Sequence, residues 1–227
     1  MSTVLLVRHG LIGTTGRVLS GWTPDLHLDE RGRGQAAAVA ERLRGVPLAA
    51  VVSSPVERCR ETAEAILAGR ELELRIDDRL GEVQYGDWTG RELRSLAKEP
   101  LWRVVQIHPS AAAFPGGESL RSMQARAVEA IRDWDARLGE DAIWVACSHG
   151  DPIRAIVADA MGAHLDQFQR IVVDPCSITA IRYTTLRPFV LRVNDTGGRV
   201  ADLVPKKRRS RRRASDAVVG GGSGGQS

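Results

Sequence analysis

Apolar residues in this chain fall into two patterns. Thr3–Val7, Ala49–Ser53, Leu72–Ile76 and Ala142–Cys147 are short, largely β-branched or small-residue runs. Runs of that length read as strands. Elsewhere apolar positions recur at helical spacing. Ala36, Val39, Ala40 and Leu43 predict a helix over 29–43, and Leu120, Met123, Ala127, Ala130, Ile131 and Trp134 predict one over 118–138. Ser54-Pro55-Val56-Glu57 reads as a helix start, with Ser54 as N-cap, Pro55 at the first helical position and Glu57 closing a capping box, the helix running to Leu67. Thr89-Gly90-Arg91-Glu92 reads as a second capping box, opening a helix to Leu96. A short helix is expected over 101–107 and another from Pro152 to Met161, with strands over 176–183 and 189–194 closing the domain as a hairpin. Residues 11–28 and 109–117 read as loops and 77–90 as extended or irregular. Strands alternating with helices predict an α/β three-layer sandwich with a mostly parallel central sheet flanked by helices.

Composition bounds this picture. The chain has 227 residues, 43% hydrophobic and 26% charged, which suits one soluble α/β domain. No run approaches the ~20 apolar residues that span a bilayer. The N-terminus has no signal-peptide pattern. Cys59, Cys147 and Cys176 form no C-x-x-C pair, so a reducing cytoplasm is expected, with no zinc ribbon and no disulfide framework. No metal-ligand spacing such as H-x-x-x-H is present, so neither a metal nor another cofactor is expected.

Charge divides the chain further. Residues 206–227 hold seven Lys and Arg against the single acid Asp216, a local +6, whereas the whole chain carries +4 and the remainder therefore −2. The basic run 206–213 and the Gly/Ser-rich run 220–225 cannot bury a core. The expected organisation is a domain over 1–204 and a disordered tail over 205–227.

Candidate chemistry lies at strand ends. Arg8-His9-Gly10 closes the first strand, and Ser148-His149-Gly150 closes a later one. Ser53-Ser54-Pro55 closes a third and places Arg58 on the first turn of its helix. On Arg-His-Gly alone, polar capping of a strand is as good a reading as an anion site. Ligands of open α/β sheets bind beyond the strands' carboxyl ends, and Arg8, His9, Arg58 and His149 can meet at that rim. Two guanidinium forks, two imidazoles and two helix N-termini describe a phosphate pocket. Chemistry also needs an acid. Glu82 lies beside Val83, Tyr85 and Trp88, where desolvation would raise its proton affinity, and Asp87 is the rival.

In order along the chain, Arg8-His9-Gly10, Ser53-Ser54-Pro55-Val56-Glu57-Arg58-Cys59-Arg60-Glu61-Thr62, Glu82-Val83-Gln84-Tyr85-Gly86-Asp87-Trp88-Thr89-Gly90, Phe114-Pro115-Gly116-Gly117-Glu118-Ser119 and Ser148-His149-Gly150 resemble the histidine phosphatase superfamily, in its phosphoglycerate-mutase-like branch. The resemblance covers residues 1–151, with residues to about 195 as the usual completion, and implies a phosphoglycerate mutase-like fold. It implies His9 as the nucleophile that becomes phosphohistidine, Glu82 as proton donor, and Arg8, Arg58 and a protonated His149 as the phosphate pocket. Thr15, Arg60 and Gly150 are further substrate-binding candidates. The chain departs from many members after Arg-His-Gly, where Leu11 and Ile12 replace Glu-Thr and Thr15 stands near an expected Asn. That departure places substrate preference around Leu11 and Ile12.

The first functional expectation is a metal-independent phosphomonoester hydrolase acting on a small phosphorylated molecule. The second is a cofactor-dependent phosphoglycerate mutase, disfavoured because the stretch 93–114 is short and poor in cations for a second phosphate. A third, of another class, is polyanion binding through the basic tail; weak nonspecific contact through residues 206–213 is expected to be accessory. Trp102, Val104 and Val105 are read as exposed apolar residues that suit a homodimer interface.

Overall fold

Strands buried on both faces need no polar alternation, and the central strands have none. The computed structural model describes residues 2–198. Along the chain it contains β1 (Ser2–Arg8), α1 (Glu30–Leu43), β2 (Leu48–Ser53), α2 (Glu57–Leu67), β3 (Leu74–Ile76), α3 (Leu93–Leu96), α4 (Pro100–Ile107), α5 (Leu120–Leu138), β4 (Ile143–Ser148), α6 (Gly150–Ala160), β5 (Ile178–Tyr183) and β6 (Pro188–Asp195). The sheet order is β3-β2-β4-β1-β5-β6. β1, β2, β3 and β4 pair in parallel, and β5 joins β1 and β6 antiparallel. Val4, Leu6, Val52 and Ala146 pack under α5 and α6. Val7, Val51, Val145 and Cys147 pack under α1 and α2. These are the three layers that the alternation of elements predicts.

Register carries the fold's functional consequence. Arg8 pairs with Ser148 across β1 and β4, and Ser53 pairs with Cys147 across β2 and β4. Three strands thus end level, so the residues that follow them share one rim. A third apolar cluster, with Val83, Tyr85, Trp88, Trp102, Phe114 and Phe168, supports the loops above that rim.

Several local expectations are corrected. Ser54 does not cap α2: Val56 is the N-cap residue and supplies no side-chain bond, and the Ser54 hydroxyl is taken by His149. The Thr89–Glu92 box opens no helix. α3 starts only at Leu93, because Glu92 bridges Val18 in strand fashion and the Leu93 N–H donates to the Arg17 carbonyl. The strand expected over 72–76 shrinks to Leu74–Ile76. Trp102 and Val105 are buried in the third cluster and Val104 packs against it, so the residues that pointed to a homodimer interface belong to the interior. The expected tail and its basic run 206–213 lie outside the described residues. Among the described residues no helix is long and apolar enough to cross a membrane.

Candidate active site

β1 delivers Arg8 and His9 to the rim, and the ladder extends one step further because the His9 N–H donates to the Ser148 carbonyl at 3.0 Å. His9 Nδ1 lies 2.7 Å from the Gly10 carbonyl, which only a protonated nitrogen can satisfy. The Nε2 lone pair therefore faces outward, and Arg58 Nε donates to it at 3.3 Å. His149, the N-cap residue of α6, stands with its ring centroid 5.1 Å from that of His9. Its Nδ1 is 3.3 Å from Arg58 Nη2, so it accepts there, and its Nε2 donates to Ser54 Oγ at 2.8 Å. Arg58 is held by the Gly21 carbonyl at 2.6 Å and Arg8 by the Val173 carbonyl at 2.7 Å. Thr62 ties the pocket together: its hydroxyl donates to the Arg58 carbonyl and accepts from the Gly10 N–H. Gly10 must be glycine, since a Cβ would lie 2.6 Å from the Gly32 carbonyl oxygen.

All four rim side chains are buried. Yet among the described residues Arg8 Nε and Arg58 Nη1, both buried donors, find no partner. Unmade buried donors are costly, and the cost falls where two cations meet an unprotonated ring nitrogen. Burial, then Arg58 and Arg8, push the His9 imidazole well below its ordinary value. Burial, then Arg58 and His9, do the same to His149. In this arrangement His149 Nδ1 accepts and Nε2 donates, and its surroundings lower its proton affinity.

Glu82, the candidate acid, sits on an irregular segment between β3 and α3. Side chains grip this segment by its carbonyls. Ser148 Oγ donates to the Leu80 carbonyl at 2.6 Å. Arg126, from α5, donates to the carbonyls of Arg79, Gly81 and Glu82 at 2.7 to 2.8 Å, and Trp22 Nε1 donates to the Glu82 carbonyl at 2.6 Å. Glu118 pairs with Arg126 at 2.5 Å. Gly81 is required by the close approach of Trp22, whose ring occupies the space of any Cβ there. Glu82 is 5% exposed, and among the described residues its carboxylate accepts only the Val83 N–H, at 3.0 Å. Burial, reinforced by the Asp151 charge, pushes its carboxyl up to about 8 against the pull of Val83, Arg58 and Arg8. Asp87, the rival, is exposed.

The remaining candidates separate. Gly150 begins α6 and is buried at the rim. Thr15 uses its hydroxyl within its own loop, accepting from the Ile12 N–H at 3.1 Å. Arg60 is exposed on α2. Ile12 is 5% exposed and packs in the core under α1, while the Leu11 N–H donates to Gln35. The departure at Leu11 and Ile12 therefore fastens the loop to α1, with Ile12 turned into the core. Trp22 and Arg126 went unread because no local pattern marks a side chain that binds a distant carbonyl. Among the described residues, no group of three or more His, Cys, Asp or Glu is arranged to hold a metal ion.

Comparison with known proteins agrees with this geometry. Residues 4–196 match the family model described as histidine phosphatase superfamily (branch 1). The chain is 31% identical over 201 residues to phosphoserine phosphatase 1 of Hydrogenobacter thermophilus, covering 86% of this chain and 93% of that one. It is 32% identical over 184 residues to a probable phosphoglycerate mutase GpmB of Erwinia tasmaniensis, covering 80% and 85%. Bacillus stearothermophilus YhfR superposes with a TM-score of 0.81 at 28% identity, covering 86% of this chain and 98% of that one.

Proposed function

The chain belongs to the histidine phosphatase superfamily, whose members similar to it include phosphatases and mutases, and from that premise we propose that it is a phosphomonoester hydrolase working through phosphohistidine on His9. The observation that carries this reading is the neutral Nε2 of His9 beside two buried guanidinium groups that each keep an unpaired N–H. Nε2 attacks the phosphorus of a small phosphorylated substrate, and the ester P–O bond breaks. The Glu82 carboxyl gives its proton to the leaving alkoxide oxygen. The Glu82 carboxylate then takes a proton from water as the water oxygen attacks the phosphohistidine, the P–N bond breaks, and inorganic phosphate leaves with His9 restored. Arg8 and Arg58 hold the phosphoryl oxygens, and His149 donates a ring N–H to the same oxygens. Neither step needs a metal.

Hydrolysis is favoured over mutase transfer by the short stretch 93–114. Its Leu96, Trp102, Val105 and Phe114 are spent in the buried third cluster, and its only Lys and Arg residues are Arg94, which pairs with Glu92, Lys98 and Arg103. A second phosphate finds little cationic charge there. Three free, buried cysteines suit a cytoplasmic enzyme. Phosphate release from para-nitrophenyl phosphate, assayed beside phosphoglycerate interconversion, tests the reading. The expected result is phosphate release with an acid-labile phosphoenzyme; rapid interconversion without release overturns it.

A further inference from the structure

Arg8 owes its place to a segment that the reaction above does not use. Residues 173–177, just before β5, meet Arg8 twice. Arg8 Nη1 donates to the Val173 carbonyl at 2.7 Å, and the Cys176 N–H donates to the Arg8 carbonyl at 2.9 Å. Among the described residues the Val173 carbonyl is the only acceptor of the Arg8 guanidinium. Both residues are buried, so no solvent stands ready to replace that bond. The Ser177 N–H closes a turn on the Asp174 carbonyl at 3.0 Å, with Pro175 and Cys176 at its centre. Cys176 has a φ of 55°. A residue other than glycine stays in that left-handed region only where its surroundings hold it there.

A second left-handed residue, on β6, supplies the hold. Asn194 has a φ of 54° and stands where the pairing of β5 and β6 slips. Ile178 pairs with Asp195 and Ala180 with Arg192, so Val193 and Asn194 together face Thr179. This is a bulge, and asparagine is among the few residues that adopt its left-handed turn readily. The Asn194 N–H donates to Thr179 Oγ1 at 3.2 Å. The side chain is thereby aimed at Asp174 and bonds it reciprocally. Asn194 Oδ1 accepts the Asp174 N–H at 2.6 Å, and Asn194 Nδ2 donates to Asp174 Oδ2 at 2.9 Å.

The Asp174 N–H and the Val173 carbonyl belong to one planar peptide unit. Asn194 grips one edge of that plane and Arg8 the other. Rotating the plane away from either partner breaks both bonds. We propose that Asn194 is a positioning residue for Arg8: by fixing the 173–174 peptide from β6, it aims the Val173 carbonyl and so sets the guanidinium that binds the phosphoryl group. This rests on the reading of Arg8 as a phosphate ligand, and it makes the edge strand of the sheet a support of the pocket.

Calorimetric titration of the full chain with inorganic phosphate reads the pocket without turnover. Asn194→Gly keeps the left-handed backbone and removes both side-chain bonds. The phosphate Kd is expected to rise about tenfold, the size of one hydrogen bond to a charged group. In an Arg8→Lys background, which lacks the guanidinium fork, Asn194→Gly should weaken phosphate no further. An unchanged Kd in the first background, or an equal loss in both, overturns the proposal, because a merely structural role would weaken the pocket whichever residue stands at position 8. A second pair of variants guards against poor folding of the first. Asn194→Asp sets two carboxylates against each other and should weaken phosphate; adding Asp174→Asn restores the reciprocal bonds and should restore the affinity. Failure of the second change to restore it overturns the proposal. A wild-type chain that binds phosphate with these dependences, yet releases none from any ester, defeats the phosphatase reading alone.

Discussion

The two halves of the pocket are held by different means. At the phosphate end, the level parallel ends of β1, β2 and β4 bring Arg8, His9, Ser54 and His149 to one rim, and the first turn of α2 adds Arg58. Each residue is placed by its own strand or helix. At the acid end, Glu82 lies outside helix and strand, and its segment is held through carbonyls by Ser148, Trp22 and Arg126. A half-site set by backbone register depends on short contiguous motifs. A half-site set by side chains reaching distant carbonyls depends on scattered residues, and its geometry is easier to disturb without unfolding the sheet.

The largest effect that breaks this comparison is expected at the phosphate end. His9→Ala removes the acceptor of the phosphoryl group, so turnover and the acid-labile phosphoenzyme both fall to background; normal phosphoenzyme in that variant refutes the assignment. At the acid end, Glu82→Gln is expected to slow phosphoenzyme formation from alkyl esters by about 10²–10⁴-fold, and from aryl esters far less. Equal losses for both ester classes would show that Glu82 is not the acid.

Arg126→Met separates the halves more finely. It removes the grip on three carbonyls and takes away the ion partner of Glu118, which keeps only the Gln84 N–H among the described residues. Denaturant unfolding should show a loss of about 2 kcal/mol. Alkyl esters should again suffer more than aryl esters, because the acid moves while the phosphate pocket does not.

The two halves should also respond oppositely to pH. Glu82 stands at about 8 in the fold against an ordinary 4.5. Its raised value means that its contribution to stability is complete below 4.5 and is lost as pH rises to about 8. His9 and His149 stand well below 6.5. Their contribution is complete above 6.5 and is lost as pH falls below it. Denaturation midpoints measured across pH should therefore fall on both sides, and Glu82→Gln should flatten the alkaline side only. The smallest effect concerns the basic tail: deletion of residues 206–227 should leave phosphate release unchanged, and loss of most activity would make the tail part of the enzyme.

The chain's own pattern determined the layers, the order of strands and helices, and the rim residues Arg8, His9, Arg58 and His149. Hydrophobic period and strand-end chemistry are local properties, readable wherever backbone pairing does the placing. Glu82 could be named from its aromatic and glycine-rich neighbours, but not what holds it. Only the tertiary structure decided that Ser54 serves His149 instead of capping a helix, that Ile12 faces the core, and that His149 lies where burial and neighbouring cations lower its proton affinity. It alone brought Trp22 and Arg126 to the Glu82 carbonyl, from positions remote from Glu82 in sequence. Those outcomes depend on burial and on the charges that a fold gathers, and a buried charge is set by its neighbours in space, which residue spacing along a chain does not encode.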